Sequence, residues 1–576
     1  MPTPREEDFR GTERFQIERR LGSGAFGVVY QAWDHELGRK VALKTLRPYG
    51  DEAVYRFKRE FRALADISHP NLVTLYQLLK DGDQWFFTME LIEGINFLDY
   101  IRGQSYSPPG PRESPIGAQA PVAAASPTAP TEVRFSGTSG IDSAGRVLST
   151  NMPGACRPPD IGRLRSALRQ AVSGIRALHE AGKLHRDIKP MNVLVARTGR
   201  VVLLDFGLVT ELDPEEVERS LELAGTPAYM SPEQGTSTPI TEASDWYSLG
   251  VMLYEALTGR RPFVGSFADM LLAKQGESPP APRDLSPTIP EDLNQLCQDL
   301  LRHDPRARPT GEEISQRLGE AKTESVLDDT VSTTIHAAAP FIGREDQLRS
   351  LKEAFSTTQS GRAVEVHVHG TSGIGKTALV RHFLEELRWS DAAIVLTGRC
   401  YERESVPFKA LDSLIDALSR YLKGLTPAEV ETLLPQDVPA LIRLFPVLRR
   451  VEAVATARRR AVEIPDSQEL RRRGFAAVRE LLGRLASQKP VVLFIDDLHW
   501  GDVDSALLLS ELLRPPDAPA VLLVLAYRTE EAETSPLLRT LLTGRDRSPE
   551  IREIPVRELP LHEAQELAHA LLSDAV

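Results

Sequence analysis

The stretch that most constrains the fold is Leu184-His185-Arg186-Asp187-Ile188-Lys189-Pro190-Met191-Asn192, followed after two short apolar runs by Asp205-Phe206-Gly207. The runs, Val193-Leu194-Val195 and Val201-Val202-Leu203-Leu204, have the length and composition of paired strands. Such a hairpin carries Asn192 and Asp205 toward one point. Both are hard oxygen donors of the kind Mg²⁺ requires. Asp187, on a loop, is placed to accept the proton of an attacking hydroxyl, and Lys189 to neutralise charge on a transferred phosphoryl group. Phosphoryl transfer needs mainly positioning and charge neutralisation, and these residue types supply both.

The same fragment appears among other ordered signals. Phe15–Leu21 alternates as a strand, Gly22-Ser23-Gly24-Ala25-Phe26-Gly27-Val28 follows, and a second strand runs to Trp33. Glycines in a strand–turn–strand allow the backbone to approach phosphate oxygens closely. Val41-Ala42-Leu43-Lys44 comes next, then a helical period over 54–67 with Phe57, Phe61, Leu64 and Ala65 on one face. Trp85 to Gly94 has the composition of a strand running into a connection.

In order and spacing these segments resemble the protein kinase superfamily, in particular bacterial eukaryotic-like (Hanks-type) Ser/Thr kinases. The resemblance implies an ATP site built from Leu21, Gly22, Ser23, Gly24, Ala25, Phe26, Gly27, Val29, Ala42, Lys44, Met89, Glu90 and Ile92. Lys44 would hold the α- and β-phosphates, and Glu60 would pair with it, with Glu52 as the rival carboxylate. Met89 fits the gatekeeper position and equally fits core packing, and the backbone of Glu90 and Ile92 would hold the adenine edge. Asp187 is then the base, with Lys189 beside it, and Asn192 and Asp205 the metal ligands. Ser231-Pro232-Glu233 resembles the triplet that closes the activation segment, with Glu233 paired to Arg308; Asp245 resembles the aspartate that braces the catalytic loop. Lys189 together with Gly225-Thr226 is similar to the Ser/Thr rather than the Tyr kinases. Arg186 beside Asp187 suggests control by phosphorylation at Ser220, Thr226 or Thr210, where the added charge would meet Arg186. Five nearby acids, Glu211, Asp213, Glu215, Glu216 and Glu218, could mimic or oppose that charge.

Residues 104–159 are rich in Pro, Ser, Gly and Ala without periodicity, a composition that buries too little apolar surface to offset ordering entropy. A tolerated surface insertion and a carrier of phosphosites or a docking motif both fit it. Residues 321–339 have the character of a linker.

A second phosphate-binding pattern follows. Val364–His369 alternates as a strand and delivers Gly370-Thr371-Ser372-Gly373-Ile374-Gly375-Lys376-Thr377, a complete GxxxxGK[ST], ahead of a helix over 378–387. Loop amides and the helix N-terminus would cradle phosphates, with Lys376 reaching the β- and γ-phosphates and Thr377 holding Mg²⁺. Val491–Ile495 is the uniformly apolar run of a buried parallel strand, ending at Asp496-Asp497. Asp496 suits a metal carboxylate and Asp497 the orientation of water. Val521–Ala526 is a third strand. Arg528 beyond it suits a γ-phosphate sensor and also a surface arginine. Together with Phe341-Ile342-Gly343-Arg344-Glu345, these motifs resemble AAA-like ATPases of the signal-transduction (STAND) type. Such a module is expected to bind nucleotide and to act as a switch, with homo-oligomerisation one form of that. The chain stops shortly after Leu559–Ala564, which resembles the start of a further helical region, so a truncated chain and a short family member are both expected.

The expected architecture is multidomain: a tail (1–14), an α+β two-lobed protein kinase fold (15–320), a linker (321–339) and an α/β P-loop NTPase domain (340–576). A length of 576 residues exceeds one core, and a net charge of −12 argues against nonspecific nucleic-acid binding. Three widely spaced cysteines, an N-terminus without an apolar core and no membrane-length apolar run give the expectation of a cytoplasmic protein. The expected activity is transfer of the ATP γ-phosphate to protein Ser/Thr hydroxyls, with ATP and Mg²⁺ required. The competing expectation is a nucleotide-dependent scaffold whose kinase mainly phosphorylates itself.

Overall fold

A computed structural model describes residues 9–23, 27–46, 50–82, 84–104, 158–204, 226–236, 239–319, 341–457, 466–543 and 550–573. Residues 105–157 of the expected insertion, the linker, Asp205-Phe206-Gly207, Thr210 and Ser220 lie outside these residues.

The first half has two lobes. In the small lobe β1 (Phe15–Ser23), β2 (Gly27–Asp34), β3 (Arg39–Leu46), β4 (Leu75–Asp81) and β5 (Gln84–Met89) form an antiparallel sheet in the order β1-β2-β3-β5-β4. Helix α1 (Gly50–Leu64) connects β3 to β4. Its apolar period is satisfied against the sheet: Phe57 and Phe61 pack on Phe87 of β5 with ring centroids 4.9 and 5.8 Å apart. The helix starts earlier than the apolar period suggests, so Glu52 lies inside it, and it stops at Leu64, with Ala65 and Asp66 forming a turn.

The large lobe packs helices 161–180, 242–258, 291–300 and 311–318 on one core. Helix 161–180 starts at Ile161 because the Asp160 side chain accepts from the Arg163 N–H, and Leu164, Leu168, Val172 and Ile175 bury one face. A small sheet of β6 (Gly94–Asn96), β7 (Val193–Ala196) and β8 (Val201–Leu203) lies in the same core, and β7 and β8 are the expected hairpin.

The second half is a five-stranded, all-parallel sheet in the order β10 (Ile394–Arg399), β12 (Val491–Asp496), β13 (Val521–Arg528), β9 (Val364–Gly370), β14 (Ile551–Pro555). The central strands β12 and β13 are buried along nearly their whole length, as helices on both faces require. A last strand, β11 (Glu404–Ser405), leaves this half and pairs in parallel with Leu78 and Leu79 of β4, so the small-lobe sheet has six strands. Among the described residues no helix is long and apolar enough to cross a membrane.

Two candidate nucleotide sites

The first site lies between the lobes. Gly27 is required where it stands, because a Cβ there would lie 2.0 Å from the Thr45 carbonyl oxygen. Ser23 belongs to β1 and residues 24–26 are outside the described set. Leu21 is exposed and Gly22 has open space around its Cα. Val29 stands opposite Lys44, and Ala42 opposite Met89, in the strand registers. Lys44 Nζ lies 2.6 Å from Glu60 Oε1, so α1 supplies the expected carboxylate. The rival, Glu52, instead meets Arg450 of the second half. Met89 is buried in the lobe core. The Glu90 N–H donates to the Thr74 carbonyl at 2.9 Å, and Ile92 is half-buried beside it.

Below the cleft the loop 181–189 is held from underneath. The backbone N–H groups of His185 and Arg186 donate to the two carboxylate oxygens of Asp245 at 2.8 and 2.7 Å. That clamp retains Arg186 at φ 64°, a conformation costly for a side chain of this size. Burial works to raise Asp245, but hydrogen bonding to His179 and the His185 amide outweighs it and holds the carboxylate below its ordinary range. The loop presents Asp187, whose Oδ2 accepts from Lys189 Nζ at 2.7 Å and from Asn192 Nδ2 at 2.8 Å. Asp187 Oδ1 is buried and has no hydrogen-bond partner among the described residues. The Leu204 N–H donates to the Asn192 carbonyl at 2.8 Å, so the chain toward residue 205 leaves from beside Asn192.

The following segment is anchored by two buried cations. Arg308 forks onto Glu233 at 2.6 and 2.9 Å, and its remaining N–H groups donate to the carbonyls of Arg302, His303 and Ala243. Burial opposes ionisation of Glu233, and the bonds from Arg308 and Ser244 overcome it, leaving its pKa lowered. Lys274, which sequence reasoning missed, is buried with its ammonium donating to the carbonyls of Pro227, Ala228 and Met230 at 2.6, 3.1 and 2.7 Å. Burial pulls its pKa down to about 7. Thr226 begins the short 3₁₀ turn Thr226–Ala228 in this segment.

The second site is the turn between β9 and helix 376–389. Gly370 is required by close approach, since a Cβ would lie 2.4 Å from the Val556 carbonyl oxygen, and Gly373 and Gly375 adopt φ 75° and 99°. Thr371, Ser372 and Ile374 complete the loop. Lys376 Nζ donates to the carbonyls of Gly370 and Thr371 at 3.0 and 2.7 Å. The Thr377 hydroxyl donates to Asp496 at 2.9 Å across the gap between loop and β12. A hydroxyl and a carboxylate converging beside a phosphate loop fit a hard divalent cation, which takes its other ligands from phosphate and water. Burial, then the adjacent Asp497, pushes Asp496 up. Arg528 ends β13 in register with Gly370 and acts on the charges of Lys376, His499 and Glu530. Two residues here were not foreseen. Glu530 accepts the Ser372 N–H at 3.1 Å, a carboxylate on a phosphate-loop amide. Arg399 donates to Asp497 at 2.9 Å from the end of β10. Both are brought to the loop by strand order.

Residues 15–318 match the family model described as protein tyrosine and serine/threonine kinase, and residues 340–525 match that described as AAA ATPase domain. The serine/threonine-protein kinase PrkC of Bacillus subtilis is 29% identical over 362 residues, 60% of this chain and 47% of that protein. Serine/threonine-protein kinase pkn2 of Myxococcus xanthus is 31% identical over 321 residues, 54% of this chain and 32% of that protein. Serine/threonine-protein kinase PknA of Mycobacterium tuberculosis is 28% identical over 303 residues, 51% of this chain and 58% of that protein. The chain thus spans about half the length, or less, of the curated relatives it matches.

Proposed function

The chain belongs to the protein kinase family and carries an AAA ATPase domain, and from that premise we propose that it transfers the γ-phosphate of ATP to serine and threonine hydroxyls of proteins under the control of a second nucleotide site. The observation that carries this reading is the Asp187 carboxylate. One oxygen is fixed by Lys189 and Asn192, and the other has no hydrogen-bond partner among the described residues, on a loop clamped by Asp245.

In the proposed reaction the Asp187 carboxylate accepts the proton of the substrate hydroxyl. The hydroxyl oxygen forms its bond to the γ-phosphorus as the bond to the β–γ bridging oxygen breaks, and ADP leaves. Lys44, held by Glu60, orients the α- and β-phosphates; Lys189 meets the charge on the transferred group. The Glu90 N–H is engaged by Thr74, so the hinge edge it offers to adenine is its carbonyl. Asn192, with Asp205 just beyond the described hairpin, would hold Mg²⁺, as would Thr377 and Asp496 in the second site. Bound there, Mg²⁺ neutralises phosphate charge. Free, buried thiols at Cys297 and Cys400 suit a reducing cytoplasm. Phosphorylation at Thr226, Ser220 or Thr210 remains part of the proposal through Arg186.

In the second site Lys376 is folded onto its own loop carbonyls and would turn to the β- and γ-phosphates on binding. Equilibrium ADP binding tests this half of the reading: wild type should bind two equivalents and Lys376→Ala one. A single equivalent in both would remove the second nucleotide site.

A further inference from the structure

Resting on the reading of the second site as regulatory, we infer that its nucleotide state is transmitted to the kinase cleft through residues 394–406, with Arg399 as the positioning residue and Asp66 as its receiver.

This one backbone segment belongs to two sheets. It begins as β10, where Arg399 is in register with Asp496. It ends as β11 on β4 of the small lobe, where the Leu78 N–H donates to the Arg403 carbonyl at 2.9 Å. Val406, immediately after, is buried in the same core as Phe57, Phe61 and Phe87. A shift at the end of β10 is therefore delivered within a few residues to the sheet that carries Lys44.

The segment also grips α1. Glu404 takes a fork from Arg62 at 2.6 and 3.1 Å. α1 is the helix whose Glu60 pairs with Lys44, so the grip is on the element that completes the cleft.

Arg399 joins the two ends. Its Nε donates to Asp497 at 2.9 Å, and another guanidinium nitrogen reaches Asp66, in the turn after α1, at 2.6 Å. The Asp497 N–H donates in turn to Asp496, which holds the Thr377 hydroxyl. Asp496 and Asp497 are adjacent carboxylates, and Arg399 is a cation between Asp497 and the kinase. A triphosphate with its divalent cation changes the charge facing this acidic pair, and so changes how Arg399 divides between Asp497 and Asp66. Burial works against the charge, but Asp66 and Asp497 outweigh it and hold the guanidinium charged, so the division is one of position and not of protonation.

The test is the rate of phosphate transfer to a Ser/Thr peptide by the full chain at saturating ATP. Four proteins are compared: wild type, Lys376→Ala, Asp66→Asn and the double variant. Lys376→Ala should change the rate about two- to five-fold, the range a half-exposed ion pair supports. In the Asp66→Asn background the same substitution should have little or no effect. Asp66→Glu, which keeps the charge, should restore the response and guards against a folding defect. Asp66→Asn should also shift ADP affinity at the second site, since a residue that receives the nucleotide state must in turn bias nucleotide binding. An active wild type that does not respond to Lys376→Ala, or a response of the same size with and without Asp66, overturns the inference. An inactive wild type overturns the kinase reading itself.

Discussion

In the proposed reading Asp187 concentrates the chemistry: Lys189 and Asn192 pin one carboxylate oxygen, and the other has no hydrogen-bond partner among the described residues. Asp187→Asn should lower kcat by about 10²- to 10⁴-fold, the usual range for loss of a positioned general base, with little change in KM for ATP. Residual activity within tenfold of wild type would place the base elsewhere. Lys274 gives a second prediction at this scale. Its folded pKa is about 7 and its ordinary value 10.5. Between those values the unfolded chain holds the extra proton, so folded stability rises with pH. The thermal midpoint of wild type should therefore gain on that of Lys274→Met between pH 7 and pH 9; parallel midpoints would show that the ammonium keeps its ordinary pKa. Local motifs made much of this scale legible from sequence. Asp187, Lys189, Asn192, Lys376 and Thr377 sit in short runs whose geometry follows from the turn they form. Lys274 was not legible, because its acceptors are backbone carbonyls distant in the chain and carry no residue signature.

At the scale of elements, α1 is the most informative. Its apolar face explains its packing on β5, yet its other face carries Lys58 and Arg62, buried against Asp412 and Asp416 of helix 409–423 and, for Arg62, Glu404. Tyr55 completes the contact under the Arg450 guanidinium, 3.7 Å from the ring centroid. Two cations thus face three carboxylates. Burial, reinforced by Asp412 and opposed by Lys58, pushes Asp416 up, whereas Lys58 and Arg62 overcome burial to hold Asp412 down. The excess acid makes the cluster asymmetric to mutation. Arg62→Met should cost about 3–5 kcal/mol, since it leaves buried carboxylates unpaired. Asp416→Asn should cost much less, and thermal unfolding of the two variants compares them. Equal losses would contradict the charge count. Glu52, Lys58 and Arg62 are ordinary solvated helix charges when the sequence is read one segment at a time, and only the partner helix turns them into an interface. β10 and β14 escaped notice for a related reason: as edge strands they are only partly buried and lack the apolar run that marks β12 and β13.

For the whole molecule, order along the chain and assembly in space differ. The sequence places a kinase pattern before a P-loop pattern, and the family matches follow that order. It does not reveal that β11 extends the small-lobe sheet or that Arg399 touches Asp66. A two-residue strand has no periodicity to detect, and pairing across the halves leaves no local trace. Nucleotide binding should consequently stabilise the assembly from two places: ADP at 100 times its Kd adds about 2.7 kcal/mol per site. Lys376→Ala should lose one site's share of the ADP-induced rise in thermal midpoint, and an undiminished rise would mean that ADP occupies the kinase cleft alone. The central claim is tested most directly by phosphate transfer from γ-labelled ATP with Mg²⁺ to a Ser/Thr protein substrate, comparing wild type, Asp187→Asn and Lys376→Ala. The account predicts label from wild type, its near-complete loss in Asp187→Asn and its persistence at an altered rate in Lys376→Ala. Label that survives in Asp187→Asn but vanishes in Lys376→Ala would contradict it and assign the phosphoryl chemistry to the second site.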